Sequence, residues 1–329
     1  MKTVHLAILG AGNIARKMAR TAVLLSAAGN RDVTLFGVAS RSLERAEAFA
    51  REFGAARVYG SYEEMLSDPE VDLVYVATPH SHHAQHVRMC LMAGKAVLCE
   101  KPLTANGRQA AELFALAREK GLLLCEAIWT RYLPSRGIIY DAVHSGRIGQ
   151  PRTILCNFSQ NIQSVPRIAE PALAGGGLLD LGVYNLNFAE MVFGHPQSMH
   201  AQCIKTEKGV DDIMHVTLLW EDGRSACLTT CISACSDNNC RILGTEGYVV
   251  VDNVNNPMSV DIYDRNHQLI EHVDCPEQLT GFENELLEAA HAVREGRLEC
   301  PSMPAAESMH VMEMMDHLRA QCGIHYPFE

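Results

Sequence analysis

An apolar, β-rich run, TVHLAILG (3–10), ends on a glycine, passes straight into GAGNIA (10–15) and opens a segment of helical periodicity, NIARKMARTAVLLSAAG. No other feature constrains the chain as much. A strand that ends in G-x-G-x-x-G/A and feeds a helix is built to hold a dinucleotide. Gly10 permits the tight turn, and Gly12 lets backbone approach a pyrophosphate. Ala15, in place of the third glycine, still allows close helix–strand packing. The opening residues of the helix, Asn13 and Ile14, add free N–H groups and the partial positive charge of a helix N-terminus.

The same alternation continues. VTLFGVAS (33–40) reads as the second strand, and SLERAEAFAREFG as a helix stopped by Gly54. VDLVYVATP (71–79), AVLCE (96–100) and GLLLCEA (121–127) are further strands, each preceded by a helix-like segment. Near-continuous apolar strands alternating with helices predict a parallel sheet covered on both faces, here an N-terminal α/β Rossmann domain over residues 1–127. Beyond it the texture changes. A helix-compatible stretch (134–146) leads into RTILCNFSQ (152–160), and from 198 to 274 strands follow one another with hairpin signals at EDGR, GTEG, DNVNNP and DRNH. Two amphipathic helices close the chain at about 280–295 and 304–321. This predicts a second, α+β domain over 128–329 with a large, mostly antiparallel open sheet.

Composition agrees with that division and removes several partners. The 329 residues suffice for about two domains. A net charge of -11, with the charges interspersed, excludes a nucleic-acid partner, which needs clustered Lys and Arg. No run approaches the roughly 18–20 apolar residues that span a bilayer, and MKTVHLAILGAG lacks the long apolar stretch of a signal peptide. The expectation is a cytoplasmic protein whose 12 cysteines, without a CxxC pair, stay reduced. Cys227, Cys231, Cys235 and Cys240 form the densest group. Even spacing puts the first three on one strand face, too far apart to chelate one ion.

The end of the second strand bears on which dinucleotide is bound. An NAD site usually places Asp or Glu there for the ribose hydroxyls. ASRSLERA instead puts Ser40, Arg41 and Arg45 at that corner, and an arginine fork attracts the 2′-phosphate that a carboxylate would repel. NADP is therefore expected over NAD.

CEKPLTAN (99–106) follows the fifth strand, and its Glu100-Lys101-Pro102 resembles the signature of the Gfo/Idh/MocA oxidoreductases, sugar- and polyol-handling NAD(P) enzymes. ATPHSHHAQHV (77–87), GGGLLDLGVYNLN (175–187) and GFENELLEAAHAVREGRLECP (281–301) resemble, in order and spacing, that family's TP-N-x-x-H segment, its glycine-led catalytic helix and its late helix. EAIWTRYLP (126–134), LAGGGLLDLGVY (173–184) and the terminal GIHYPFE (323–329) are most similar to the branch that includes dimeric dihydrodiol dehydrogenase. The resemblance implies NADP-linked chemistry on a small-molecule sugar, polyol or vicinal diol. It also implies an open C-terminal sheet of the kind that often pairs with a second subunit, giving a homodimer or higher homo-oligomer.

The resemblance places Lys101 beside the nicotinamide ribose and the reacting oxygen, where an ammonium favours the ionised hydroxyl. Glu100 would orient it, and Pro102 would fix the turn. Thr78, Pro79 and His80 are expected on the nicotinamide side, and His83 matches the family's histidine at the helix start. Asp180 and Tyr184, four apart, would share one face of a helix, with Tyr184 as proton relay, Lys101 as its electrostatic partner and Asp180 orienting substrate hydroxyls or Lys101. Tyr184 stands where many family members carry histidine. Arg167 matches a recurrent arginine near the cofactor, while Trp129 and Arg131 are candidates to wall the substrate pocket. His82 and His86 lack the HExxH context, and no metal site is expected. Two other activities fit the same fold: redox-assisted glycoside cleavage on tightly held NAD, and a non-catalytic dinucleotide sensor, which would not need Lys101.

Overall fold

The computed structural model describes residues 2–329. They form two compact units. The first runs to Tyr132 and takes back Gln278–Met309; the second comprises Leu133–Glu277 and His310–Glu329.

The first unit alternates β1 (Val4–Leu9), α1 (Asn13–Ala27), β2 (Val33–Ala39), α2 (Leu43–Phe53), β3 (Arg57–Tyr59), α3 (Tyr62–Ser67), β4 (Leu73–Val76), α4 (His80–Met92), β5 (Ala96–Glu100), α5 (Gly107–Lys120) and β6 (Leu124–Ala127). All six strands are parallel, in the order β3-β2-β1-β4-β5-β6. β4, β5 and β6 are buried along their whole length, as strands covered on both faces must be. The order reverses between β1 and β4, so the loops after these two strands bound the crevice where such sheets take ligands. β3 was not foreseen; three residues are too few to show a period. Helix ends obey ordinary capping rules. Ser42 accepts the Arg45 N–H at 3.3 Å to start α2, and Asn106 accepts the Gln109 N–H at 3.0 Å to start α5. α1 alone of these three has no side-chain cap.

The second unit holds α6 (Ser135–His144), β7 (Pro151–Ser159), α7 (Pro166–Ala169), a π-helical turn at Leu178–Gly182, α8 (Val183–Phe193) and seven further strands. These are β8 (Ser198–Lys205), β9 (Asp211–Leu219), β10 (Ser225–Cys231), β11 (Cys240–Gly244), β12 (Gly247–Val251), β13 (Ser259–Asp264) and β14 (Leu269–Asp274). The eight-stranded sheet runs β14-β13-β12-β11-β7-β10-β9-β8, with β7–β10 its parallel pair and every other pairing antiparallel. α8 packs on β7 and β10 and is buried almost throughout. Cys227 and Cys231 share one face of β10, whose register is unbroken, although Cys227 is exposed and Cys231 buried. β10 ends at Cys231, where residues 230–232 are all buried, and Cys235 lies beyond the strand.

α9 (Glu283–Glu295) and α10 (Ala305–Gln321) are the two closing helices. A division at residue 128 assigns both to the second domain, whereas α9 belongs to the first compact unit. Its buried face, Leu286, Ala289 and Ala290, packs on α1, β1, β2 and β5. Arg294 and His291 meet Asp32 at 2.5 and 3.2 Å and hold its carboxyl down at about 2. Met312, Met314 and Met315 of α10 are fully buried and belong to the core. No helix among the described residues is long and apolar enough to cross a membrane.

Candidate active site

A cavity of about 390 Å³ opens at the β1–β4 crevice of the first unit. Gly10, Ala11 and Gly12 line it from the first loop, Ser40, Arg41, Ser42 and Arg45 from the second, and Ala77, Thr78 and Pro79 from the loop after β4. Gly10 has φ of +108°, and a Cβ there would lie 2.9 Å from the Ala77 carbonyl oxygen, so only glycine fits. A Cβ at Gly12 would meet nothing within 4 Å, which leaves that approach open to a ligand. The N–H groups of α1, including those of Asn13 and Ile14, lack a capping side chain, and no acidic residue sits in its first turn. An uncapped helix start beside a glycine loop is an anion cradle.

The far end of the cavity is cationic. Arg41 and Arg45 line it with no Asp or Glu, and the Arg45 guanidinium reaches the Ala11 carbonyl at 3.5 Å. Tyr62, His82 and His86 complete this corner, and sequence reading had assigned none of them to the cofactor. His86 Nδ1 lies 3.0 Å from Thr78 Oγ1, and its ring stacks on His82 with centroids 5.7 Å apart. Burial lowers the His86 imidazole to about 4, and burial followed by the Arg41 charge lowers His82. Both rings are thus neutral at pH 7, and the arginines supply the charge. A larger hollow of about 760 Å³, lined by Glu63, Met89, Met92 and Lys95 among others, has no glycine loop and no arginine.

Lys101 follows β5, and its peptide bond to Pro102 is cis. Buried polar groups fix the backbone around it. Glu100 accepts the Lys101 main-chain N–H at 3.2 Å and the Tyr75 hydroxyl. His83 sits between two carbonyls, with Nδ1 2.8 Å from Pro102 O and Nε2 2.7 Å from Thr78 O. Glu126 accepts the Leu103 N–H at 3.0 Å and the Ser308 hydroxyl at 2.9 Å. His83 therefore has both ring nitrogens turned to main chain and is fully buried, its imidazole lowered to about 4 by burial. It braces the lysine loop and does not line the cavity. His80, expected on the nicotinamide side, is also buried, edge-on to His83 at 5.8 Å, while Thr78 and Pro79 do line the cavity.

Trp129 and Arg131, expected to wall a substrate pocket, are buried and make contacts within the first unit. Trp129 stacks on Phe282 with centroids 4.8 Å apart, and Arg131, 2% exposed, ion-pairs with Glu307. Both partners come from the returning segment 278–309, which a contiguous division of the chain could not bring near them.

Asp180, Tyr184 and Arg167 lie in the second unit. Asp180 is buried and pairs with Arg167 through contacts of 2.6 and 3.4 Å. Tyr184 is buried with its ring edge-on to Phe158 at 5.4 Å. The pair does not sit on a plain α-helix as expected. Asp180 belongs to the π turn, whose i→i+5 bonding widens each turn and makes a four-residue step fall short of a full one. The preceding glycines are crowded by their own unit. At Gly176, φ of +112° and a Cβ position 2.1 Å from Asp211 Oδ1 exclude any side chain. Asp211 accepts the Leu178 N–H at 2.5 Å, and burial pushes its carboxyl up to about 7. Tyr326, from the terminal GIHYPFE, donates to the Gly175 carbonyl at 2.9 Å. These glycines thus admit Asp211 and the C-terminal tail.

Comparison with known proteins agrees with this geometry. The oxidoreductase family model with an NAD-binding Rossmann fold matches residues 4–127, and the Gfo/Idh/MocA C-terminal domain matches residues 139–250. The chain belongs to the Gfo/Idh/MocA family. It is 36% identical to the trans-1,2-dihydrobenzene-1,2-diol dehydrogenase of Oryctolagus cuniculus, covering 92% of this chain and 95% of the relative. The Mus musculus enzyme of the same name is 35% identical, with 97% of each covered. Among solved structures, a 3-ketoreductase from Actinomadura kijaniata in complex with NADP superposes with a TM-score of 0.87 at 27% identity, over 97% of this chain and 98% of that one. As a Gfo/Idh/MocA member the chain is an NAD(P)-dependent oxidoreductase acting on CH–OH groups.

Within this Gfo/Idh/MocA chain, Glu126 is the site-supporting residue that sequence reasoning missed. Burial raises its carboxyl from 4.5 to about 7. The protonated form is favoured in the folded chain, so this group's stabilising contribution is complete below about pH 4.5 and lost as pH rises through about 7. Glu126→Gln keeps a neutral side chain that can meet Leu103 N–H and Ser308. Its melting temperature should rise relative to the parent between about pH 5 and about pH 8, by at most about 3 kcal/mol of stability. Parallel pH curves for the two proteins would remove Glu126 from this role.

Proposed function

We propose that the chain is an NADP-dependent oxidoreductase that exchanges hydride between the nicotinamide and a carbon of a sugar, polyol or vicinal diol, with Lys101 and Tyr184 handling the hydroxyl proton. One observation carries the choice of cofactor. The cavity that begins at Gly10 and Gly12 ends at Arg41 and Arg45, with no carboxylate lining it. An NAD site usually has an acidic ribose partner there, and a 2′-phosphate is attracted by cations. The residues fit the dinucleotide. The uncapped start of α1 supplies main-chain donors for the pyrophosphate, and the Gly10 turn has no room for a side chain.

When bound, the nicotinamide supplies the hydride chemistry. The chain's own residues manage binding and protons. Arg41, Arg45 and Ser40 hold the adenosine end, and Thr78 and Pro79 border the path from it. The Lys101 ammonium, at the carboxyl end of a parallel strand, hydrogen-bonds the reacting oxygen and lowers the energy of its ionised form. Tyr184 Oη gives or takes the hydroxyl proton. Its pKa, ordinarily about 10, needs such a cation to reach a working range. Asp180, already matched by Arg167, orients substrate hydroxyls. The curated relatives are named as dehydrogenases of a trans-dihydrodiol, and the solved ketoreductase series includes lysine and tyrosine variants; both support this reading. The chain is further proposed to work as a homodimer through its open eight-stranded sheet.

Replacing Arg41 and Arg45 by Ala should weaken NADPH binding by about tenfold or more while leaving NADH nearly unchanged. Equal losses for both cofactors would sink the assignment to NADP. Lys101→Met should abolish turnover with NADPH affinity retained, and Tyr184→Phe should lower kcat by about 10²-fold or more; near-parental turnover in either variant excludes that residue from proton handling. The substrate class is read by assaying sugars, inositols and dihydrodiols against both cofactors by NADPH absorbance. A glycoside cleaved with no net cofactor consumption would move the chain to the redox-assisted class. Light scattering on the purified protein reads the subunit number, and a monomer at assay concentration overturns the dimer.

A further inference from the structure

At the other end of α8 from Tyr184, three side chains converge that the chemistry above does not use. Glu190 occupies the last turn of the helix. Gly194, with φ of +77°, reverses the chain after donating its N–H to the Glu190 carbonyl at 2.8 Å, and His195 follows at once. His310 reaches the same carboxylate from α10. Its Nδ1 lies 3.0 Å from Glu190 Oε1, and His195 Nδ1 lies 3.4 Å from Glu190 Oε2. The two imidazole rings face each other with centroids 4.5 Å apart, and the three potential ligand atoms all lie within 4.8 Å of one another.

Glu190 is the informative member. It is 7% exposed, and its Oε2 is buried with no hydrogen-bond partner, although it points at the His195 ring. A buried carboxylate oxygen left without a donor is an anomaly that an ion of opposite charge removes. The histidine side chains are 40% and 42% exposed, so a solvated ion can reach the carboxylate between them.

We propose that Glu190, His195 and His310 bind a divalent transition cation of the zinc type, tying the end of α8 to α10. Two imidazole nitrogens and one carboxylate oxygen form a donor set that suits zinc, copper or nickel and not the all-oxygen preference of magnesium or calcium. Ligands about 2.0–2.1 Å from a tetrahedral ion stand about 3.4 Å apart, close to the 3.0 and 3.4 Å separations here. Three protein ligands leave the fourth position to water. Sequence inspection did not find the set because residues 190, 195 and 310 fit no metal-ligand spacing. The site has no part in hydride transfer, and its role is to join two helices.

The test uses the full chain stripped with a chelator and titrated with Zn²⁺ by calorimetry, and with Co²⁺ by absorption. One equivalent should bind saturably and raise the melting temperature. The cobalt form should show visible d–d bands without a thiolate charge-transfer band. His195→Asn and His310→Gln should each weaken binding by about tenfold or more. His195 is exposed enough for its variant to fold whether or not the site exists. Absence of saturable binding would leave two ordinary histidine–glutamate contacts and overturn the proposal. So would a thiolate band, which would point to exposed Cys227 or Cys235, and so would affinity unchanged in both histidine variants.

Discussion

The backbone of Lys101, Pro102 and Leu103 is held from three directions by buried polar groups, and the role proposed for Lys101 rests on that grip. Glu100 accepts the Lys101 N–H, Glu126 accepts the Leu103 N–H, and His83 Nδ1 faces the Pro102 carbonyl as its donor. A lysine on a loose loop would spread its ammonium over many positions. One whose main chain is pinned on both sides presents it in few. The cost is a set of carboxyls in an apolar interior. Glu285, beside Glu100, has its own carboxyl pushed well above the ordinary range by burial and then by that neighbouring charge. Such groups persist where positioning outweighs the penalty of desolvation.

The second unit uses a parallel device with different parts. Asp211 and Tyr326 fasten the glycine turn that launches the π-helical segment, so Asp180 begins its helix from a fixed point. π turns recur at functional sites because the wider turn redirects side chains that an α-helix would place elsewhere. The C-terminal tail is therefore structural support for this helix. Arg319 binds Glu329 at 2.8 Å and lies over the Tyr326 ring at 4.7 Å, which keeps the last residues against the turn.

Much of this was legible in the residues. GAGNIA after an apolar strand specifies a dinucleotide cradle because turn, approach and helix start are all local, and the hairpin turns of the second sheet are equally local. Arg41 and Arg45 could be placed beside the glycine-loop cavity because strand length fixes where β2 ends. What depended on distant packing was not legible. Trp129 and Arg131 looked available until Phe282 and Glu307 arrived from a segment more than a hundred residues later. The π turn has no pattern of its own in LLDLG. His82 and His86 lack a zinc motif, and nothing in the sequence marks them as neutral walls of the glycine-loop cavity. Glu126 read as one more strand residue, since its partners are a loop N–H and a distant serine.

The chain crosses between its two compact units three times, at residues 132, 277 and 309. α9, which covers β1, β2 and β5, emerges from the ribosome only after the whole eight-stranded sheet has been made. During synthesis the nucleotide-binding sheet thus waits, one face incomplete, while the later domain is translated. The two units are consequently inseparable by truncation: any cut that isolates the second also strips the first of a layer. Heredity meets the same restriction, because this nucleotide-binding unit cannot be exchanged as one uninterrupted stretch of gene.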